Sequence, residues 1–178
     1  MDIDVWQHGP QAHGGRLRIG DTVMRCALGR NGVTSPGREG DGASPAGTFA
    51  LRHVLYRGDR GYRPSTALQA RPIGPRDGWC DESADPAYNR PVRLPYSSSA
   101  EKLARRDRLY DVVVVLGHND APVVPGLGSA IFMHVARPDF GPTLGCVALD
   151  PDDLSYVLRR VTPRSSITIH PYPFGQSV

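Results

Sequence analysis

Two side chains able to carry covalent acyl chemistry stand on short apolar runs in the second half of the chain. His134 ends the run Ala130-Ile131-Phe132-Met133, and Cys146 follows Gly145 and opens onto Val147-Ala148-Leu149. A thiol at its ordinary pKa of about 8.5 is only a few per cent thiolate at pH 7. An adjacent imidazole can take its proton and hold the thiolate as an ion pair, and a shift of about 2 units corresponds to about 2.7 kcal/mol. Gly145, with no Cβ, admits a close substrate backbone and unusual dihedrals. The amides around Gly145 and Cys146 are candidates to face a developing oxyanion, and Thr143 offers a hydroxyl just upstream. Spacing alone leaves a second reading open, in which Cys146 is an ordinary buried cysteine and His134 a satisfied core histidine.

For the two groups to meet, their strands must adjoin. The runs at 129–135 and 145–149 are joined by a nine-residue connection, and strands so connected are commonly neighbours in a sheet. Other elements read clearly. Val112–Val115, four valines bounded by polar residues, marks a buried strand. Residues 16–28 form a hairpin turning at Gly20-Asp21, with Met24, Cys26 and Leu28 on one face, so Cys26 is a core filler. Strands are expected at 48–56 and 165–170, and 31–49 is a Gly/Pro/Ser-rich loop. Asp150-Pro151-Asp152-Asp153 starts a helix, with Asp as cap, Pro first and acids in the first turn, and Leu154, Val157, Leu158 and Val161 on its apolar face. A second short helix is expected over 98–107, capped by Ser98 or Ser99. Residues 57–98, rich in Pro, Gly, Arg and Asp with Tyr62, Trp79, Tyr88 and Tyr96, read as an irregular covering segment with short strands. The result is a mainly β domain with two short helices, no internal repeat and no clear linker.

Composition narrows the function. The 178 residues suit one domain, and 20 Gly with 17 Pro punctuate it too heavily for long helices. No apolar run approaches the ~20 residues of a membrane span. The start, Met1 to Pro10, lacks the basic end and apolar stretch of a signal peptide, so no export route is legible. The net charge of +3 comes from scattered arginines, twenty against the single Lys102, with no basic helix to read nucleic acid. Cys26, Cys80 and Cys146 form no Cys-x-x-Cys pair, which argues against a zinc framework. A Cys26–Cys80 disulfide in an oxidising envelope would leave Cys146 free.

The stretch GSAIFMHVARPDFGPTLGCVAL, residues 128–149, resembles the active-site segment of the YkuD-type L,D-transpeptidases, cysteine enzymes that cross-link bacterial peptidoglycan. The family's His on one strand matches His134, and its Ser/Thr-His-Gly-Cys matches Thr143-Leu144-Gly145-Cys146. Upstream, Ser44-Pro45-Ala46-Gly47-Thr48-Phe49 resembles the family's Thr-Pro-x-Gly-x-Phe. The resemblance spans roughly residues 16–169. It implies a single-domain β-sandwich or barrel over 1–178, with the 57–98 insertion covering substrate. It implies Cys146 as nucleophile, His134 as base and the Val135 carbonyl orienting the imidazole. The partners it implies are peptidoglycan stem peptides, as donor and acceptor, met by a monomer in the periplasm or cell envelope without metal or organic cofactor. The pattern departs from the family at Leu144, where a second His is usual, at Ala148, where Arg or Asn is common, and at Val135, where Gly or Ser is common. Arg137 and His118 are candidates to replace the missing contacts. Trp79, Asp81, Tyr88 and Arg90 are candidates to bind the substrate's charged groups. Three other readings stay open: water as acceptor (an L,D-carboxypeptidase, endopeptidase or antibacterial effector), a sortase-like enzyme, and a non-catalytic wall-binding module.

Overall fold

Which runs alternate in hydrophobicity, and which do not, decides the layers of this chain. The computed structural model describes residues 1–10, 12–61 and 63–172, so Tyr62 lies outside the described residues. The first strands are β1 (Ile3–Gln7), β2 (Gly14–Ile19), β3 (Thr22–Ala27), β4 (Val33–Thr34), β5 (Ser44–Pro45) and β6 (Gly47–Tyr56). After a 3-10 turn at Gly58–Arg60 come β7 (Ala70–Pro72), β8 (Asp77–Cys80), β9 (Pro91–Arg93) and β10 (Ala100–Lys102). The chain continues through β11 (Val112–Leu116), β12 (Phe132–Val135), β13 (Val147–Leu149), α1 (Pro151–Leu158) and β14 (Ser166–His170).

Strands β11, β12, β13, β3, β2, β1, β14 and β6 hydrogen-bond in that order, and β6 also pairs with β11. The ten-residue β6 makes this possible. Its first residues pair with β14 and its later ones with β11. The eight strands therefore close into a barrel, which leaves no open edge in the ring. A small sheet of order β10-β8-β9 stands apart from it.

The strand period of two sorts each wall residue inward or outward. Val112 and Val114 of β11, Met133 and Val135 of β12, and Val147 and Leu149 of β13 join the main core with Ile3, Val5, Leu17, Ile19, Cys26, Ile167 and Ile169. Val113 and Val115, Phe132 and Cys146 face the other way. They pack with Trp79 of β8, Leu103 and Tyr110 in a second core under the small sheet. The valine run is buried on both faces, which is why it shows no polar alternation.

The hairpin turns at Gly20-Asp21, where Gly20 takes φ 57°. Helix α1 starts as expected: the Asp150 carboxylate accepts from the Asp152 N–H at 3.0 Å, and Leu154, Val157, Leu158 and Val161 enter the main core. The helix expected over 98–107 is not formed. Its backbone is claimed by β8, with Ala100 opposite Cys80 and Glu101 opposite Trp79, while Leu103 is fully buried beneath the cover. Ala100, Leu103 and Ala104 alone make too narrow an apolar face to hold a helix there. One α-helix is thus present among the described residues, and no helix is long and apolar enough to cross a membrane.

Candidate active site

Strands β12 and β13 run parallel, with Met133 opposite Val147 and His134 opposite Ala148. By the same register Cys146 lies level with Phe132. His134 and Cys146 therefore share the outer face of the barrel wall, offset by two residues, about 8 Å between backbones. A ring on one and a thiol on the other suffice to span such an offset. Both line one cleft of about 410 Å³, and both are more than nine-tenths buried.

The loop before Cys146 is held tightly. Thr143 bridges to Gly29: its N–H donates to the Leu28 carbonyl, and its own carbonyl accepts from Arg30. The Thr143 hydroxyl donates to the Cys146 carbonyl at 2.7 Å and accepts from the Gly145 N–H at 3.1 Å. The Gly145 amide is thus committed within the loop rather than turned to an oxyanion. Gly145 itself has φ 140°, and a Cβ there would lie 2.9 Å from the Ala43 carbonyl oxygen. Only glycine fits this approach. The 43–49 segment forms the wall behind the loop, with Ser44 Oγ accepting from the Gly29 N–H at 3.0 Å.

The imidazole is oriented from its own strand. His134 Nδ1 lies 2.8 Å from the Val135 carbonyl oxygen, which assigns the proton to Nδ1 and leaves Nε2 as the basic lone pair. The Tyr110 ring packs edge-on at 5.2 Å. The thiol of Cys146 donates to the Ala130 carbonyl at 3.3 Å, not to His134. Burial pushes the thiol up to about 12, and the negative charge of Glu101 adds to this. Burial pushes His134 down to about 4. Both shifts favour the uncharged forms over the expected thiolate–imidazolium pair. Desolvation is the largest cause at each group, and it favours thiol and neutral imidazole.

These shifts carry a pH signature for stability. Below 6.5 the unfolded chain protonates its histidine while folded His134 stays neutral down to about 4, so stability falls as pH drops through that window. His53 and His118, also lowered by burial, act in the same direction. Above 9 the unfolded thiols ionise while Cys26 and Cys146 hold their protons up to about 12, so stability falls again. Thermal unfolding across pH should show a maximum between about 6.5 and 9, and His134→Gln should flatten the acid limb. An unchanged acid limb in that variant would contradict a neutral buried His134.

A model of the YkuD family, described as an L,D-transpeptidase catalytic domain, matches residues 13–169. The chain belongs to the YkuD family. No curated protein and no solved structure gives a match. The match covers the barrel from β2 to β14, so the YkuD domain includes the cleft and every residue that lines it.

Around this YkuD cleft the candidates separate. Thr143, Leu144, Arg137, Asp81 and Ala148 line it, and Leu144 is strongly exposed at its mouth. Arg90 is exposed but does not line it. Trp79 is a core residue, edge-on to Phe132 at 5.2 Å, with its indole N–H donating to Asn89 Oδ1. Tyr88 is buried as a strap: its hydroxyl donates to Glu39 at 2.5 Å and accepts from the Gly128 N–H at 3.0 Å. His118 also lies outside the cleft. It sits just beyond β11, 2.9 Å from the Leu127 carbonyl and edge-on to Phe49. It is thus placed to brace the 126–131 loop, not to reach Cys146. All three cysteines are free thiols, so the Cys26–Cys80 bridge is not formed.

Tyr110, Glu101 and Arg105 went unrecognised in the sequence, as did the bracing role of Asn89. The Asn89 side chain accepts from Trp79 and from the Ala130 N–H and donates to the carbonyls of His118 and Asn119. It thereby fixes Ala130, whose carbonyl holds the thiol. Tyr110 donates to Glu101 at 2.6 Å, and Arg105 approaches Glu101 at 3.7 Å. Glu101 and Arg105 fall in the 98–107 segment read as a helix, which hid their place on the cover.

Proposed function

We propose that this YkuD domain is an L,D-transpeptidase that joins peptidoglycan stem peptides in the cell envelope through a thioester on Cys146. The observation that carries the reading is His134 and Cys146 on one face of adjoining parallel strands in one cleft, with Nδ1 held by the Val135 carbonyl. Substrate carbonyl entry draws the thiol from the Ala130 carbonyl toward His134 Nε2. His134 takes the proton as sulfur attacks the carbonyl of the third stem residue, a diamino acid in the family the sequence resembles. The C–N bond to the terminal D-alanine breaks, and His134 returns the proton to the departing amine. An amine of a second stem then attacks the thioester, loses its proton to His134, and the sulfur leaves to recover it.

Because the Gly145 N–H is committed to Thr143, the Cys146 N–H is the nearby amide assigned to the oxyanion. Arg137, lining the cleft three residues after His134, is the cation assigned to substrate carboxylate.

The test is intact mass after incubation with a carbapenem. One stable adduct is expected, absent in Cys146→Ala, and an unmodified wild-type mass would overturn the reading. Digests of peptidoglycan treated with the protein should contain cross-linked dimers. Trimmed monomers alone would assign water as the acceptor and make the enzyme an L,D-carboxypeptidase or endopeptidase.

A further inference from the structure

The cleft holds polar groups that the thiol chemistry does not use. Asp81 follows β8 and Glu101 lies on β10. These strands pair antiparallel with Glu101 opposite Trp79, which puts Asp81 and Glu101 diagonally on one face of the cover. Both line the cleft beside Cys146. Ser129 lines it from the 126–131 loop, on the barrel side.

Two of these residues have orphaned atoms. Ser129 is 8% exposed, and its Oγ makes no hydrogen bond among the described residues. Asp81 Oδ1 is buried and equally without a partner among them. A buried polar atom left unpaired costs free energy, so native folds seldom retain one without a use. The carboxylates are also short of positive charge. Asp81 forms no ion pair among the described residues. Arg105, 3.7 Å from Glu101, spends two closer bonds of 2.9 and 2.7 Å on Asp107.

The geometry points to Asp81, Ser129 and Glu101 as a binding subsite for a primary ammonium group of the substrate, next to the reactive sulfur. An ammonium carries three N–H donors and one positive charge. Three acceptors from three separate segments match it in number, and the carboxylate of Asp81, with no ion pair among the described residues, matches it in sign. A metal ion is a poorer fit, since among the described residues no cluster of His, Cys, Asp and Glu is arranged to hold one. The inference rests on the proposed acyl transfer only for its biological meaning. The ammonium is either the side chain of the donor's diamino acid or the amine of the acceptor, and the two sources are separable.

The test compares a stem tetrapeptide with lysine at its third position against the same peptide acetylated on Nε. Calorimetry with Cys146→Ala protein measures binding without turnover. Acetylation is expected to weaken binding at least tenfold. Asp81→Asn and Glu101→Gln in that background should each erase most of the preference, and Ser129→Ala should reduce it severalfold. Equal affinity for the two peptides, or no binding of either, would overturn the subsite and leave the orphaned atoms as water ligands. The peptide comparison needs no variant at the subsite, so a misfolded Asp81→Asn protein does not blunt it.

The source is read with wild-type protein. If acetylating the donor slows D-alanine release, the donor side chain is the ligand. If it changes only the capture of acyl-enzyme by a lysine-bearing acceptor against water, the acceptor is. The carbapenem adduct reports the other proposal independently. An adduct without ammonium preference removes the subsite alone, and ammonium preference without an adduct removes the nucleophile alone.

Discussion

Acylation by a His134→Ala protein should fall by about 10²- to 10⁴-fold, the usual worth of a positioned general base. With burial holding the Cys146 thiol up to about 12, the ionised fraction at pH 7 without help is roughly 10⁻⁵. Little thiolate then stands ready before substrate arrives, and proton transfer to Nε2 is expected to accompany attack. The pH profile separates this from a general loss of structure. In the wild type the imidazole is unprotonated down to about 4, so the acid limb of acylation should lie well below the ordinary histidine value. In the variant the rate should climb about tenfold per pH unit through neutrality, since only thiolate made by solvent remains. Stopped-flow acylation by a carbapenem from pH 5 to 10 checks both. A variant with the wild-type rate and profile would remove His134 from the chemistry. Thermal unfolding of the same protein confirms that the barrel survives.

Gly145→Ala should damage stability and activity together. The added Cβ would sit 2.9 Å from the Ala43 carbonyl oxygen and 3.1 Å from Ile131, at φ 140°. Backbone stands on one side of the clash and a core side chain on the other, so relief requires the nucleophile loop to move. Strain of this kind costs roughly 2–4 kcal/mol, or several degrees in Tm for a chain of this size. A shift of about 1 Å in the reacting sulfur lowers acylation about 10²-fold. Gly126→Ala is the control: φ is also positive, at 81°, but nothing lies within 4 Å of a Cβ there. Its effect should be confined to a small stability loss with normal acylation. Equal behaviour of the two variants would show that the Ala43–Gly145 approach does not position the thiol.

Elements decided by local physics were legible from residue order. The Gly20-Asp21 hairpin, the valine strand and the Asp150-capped helix each depend on interactions within a few residues, and each formed where expected. The family was legible for the same reason, since Thr143 to Cys146 and His134 are contiguous signatures. Residues 98–107 misled because local propensity was overruled by a partner strand twenty residues away, β8, which claimed the backbone of β10. Trp79 and Tyr88 looked like substrate groups because aromatic side chains in a Gly/Pro-rich stretch serve cores and clefts alike. Only packing against Phe132 and Glu39 assigned them to support.

Residue order alone determined that a thiol, an imidazole and a glycine loop would stand on apolar strands, because composition and short-range pattern suffice for that. Tertiary structure alone decided that β12 and β13 run parallel with Phe132 level with Cys146, because a one-residue slip would have turned the sulfur into the barrel core. It also decided that the cover brings Glu101 and Asp81 into the cleft that Cys146 lines. Charge and desolvation at the site depend on groups far apart in the chain, and only the closed barrel and its lid bring them within range.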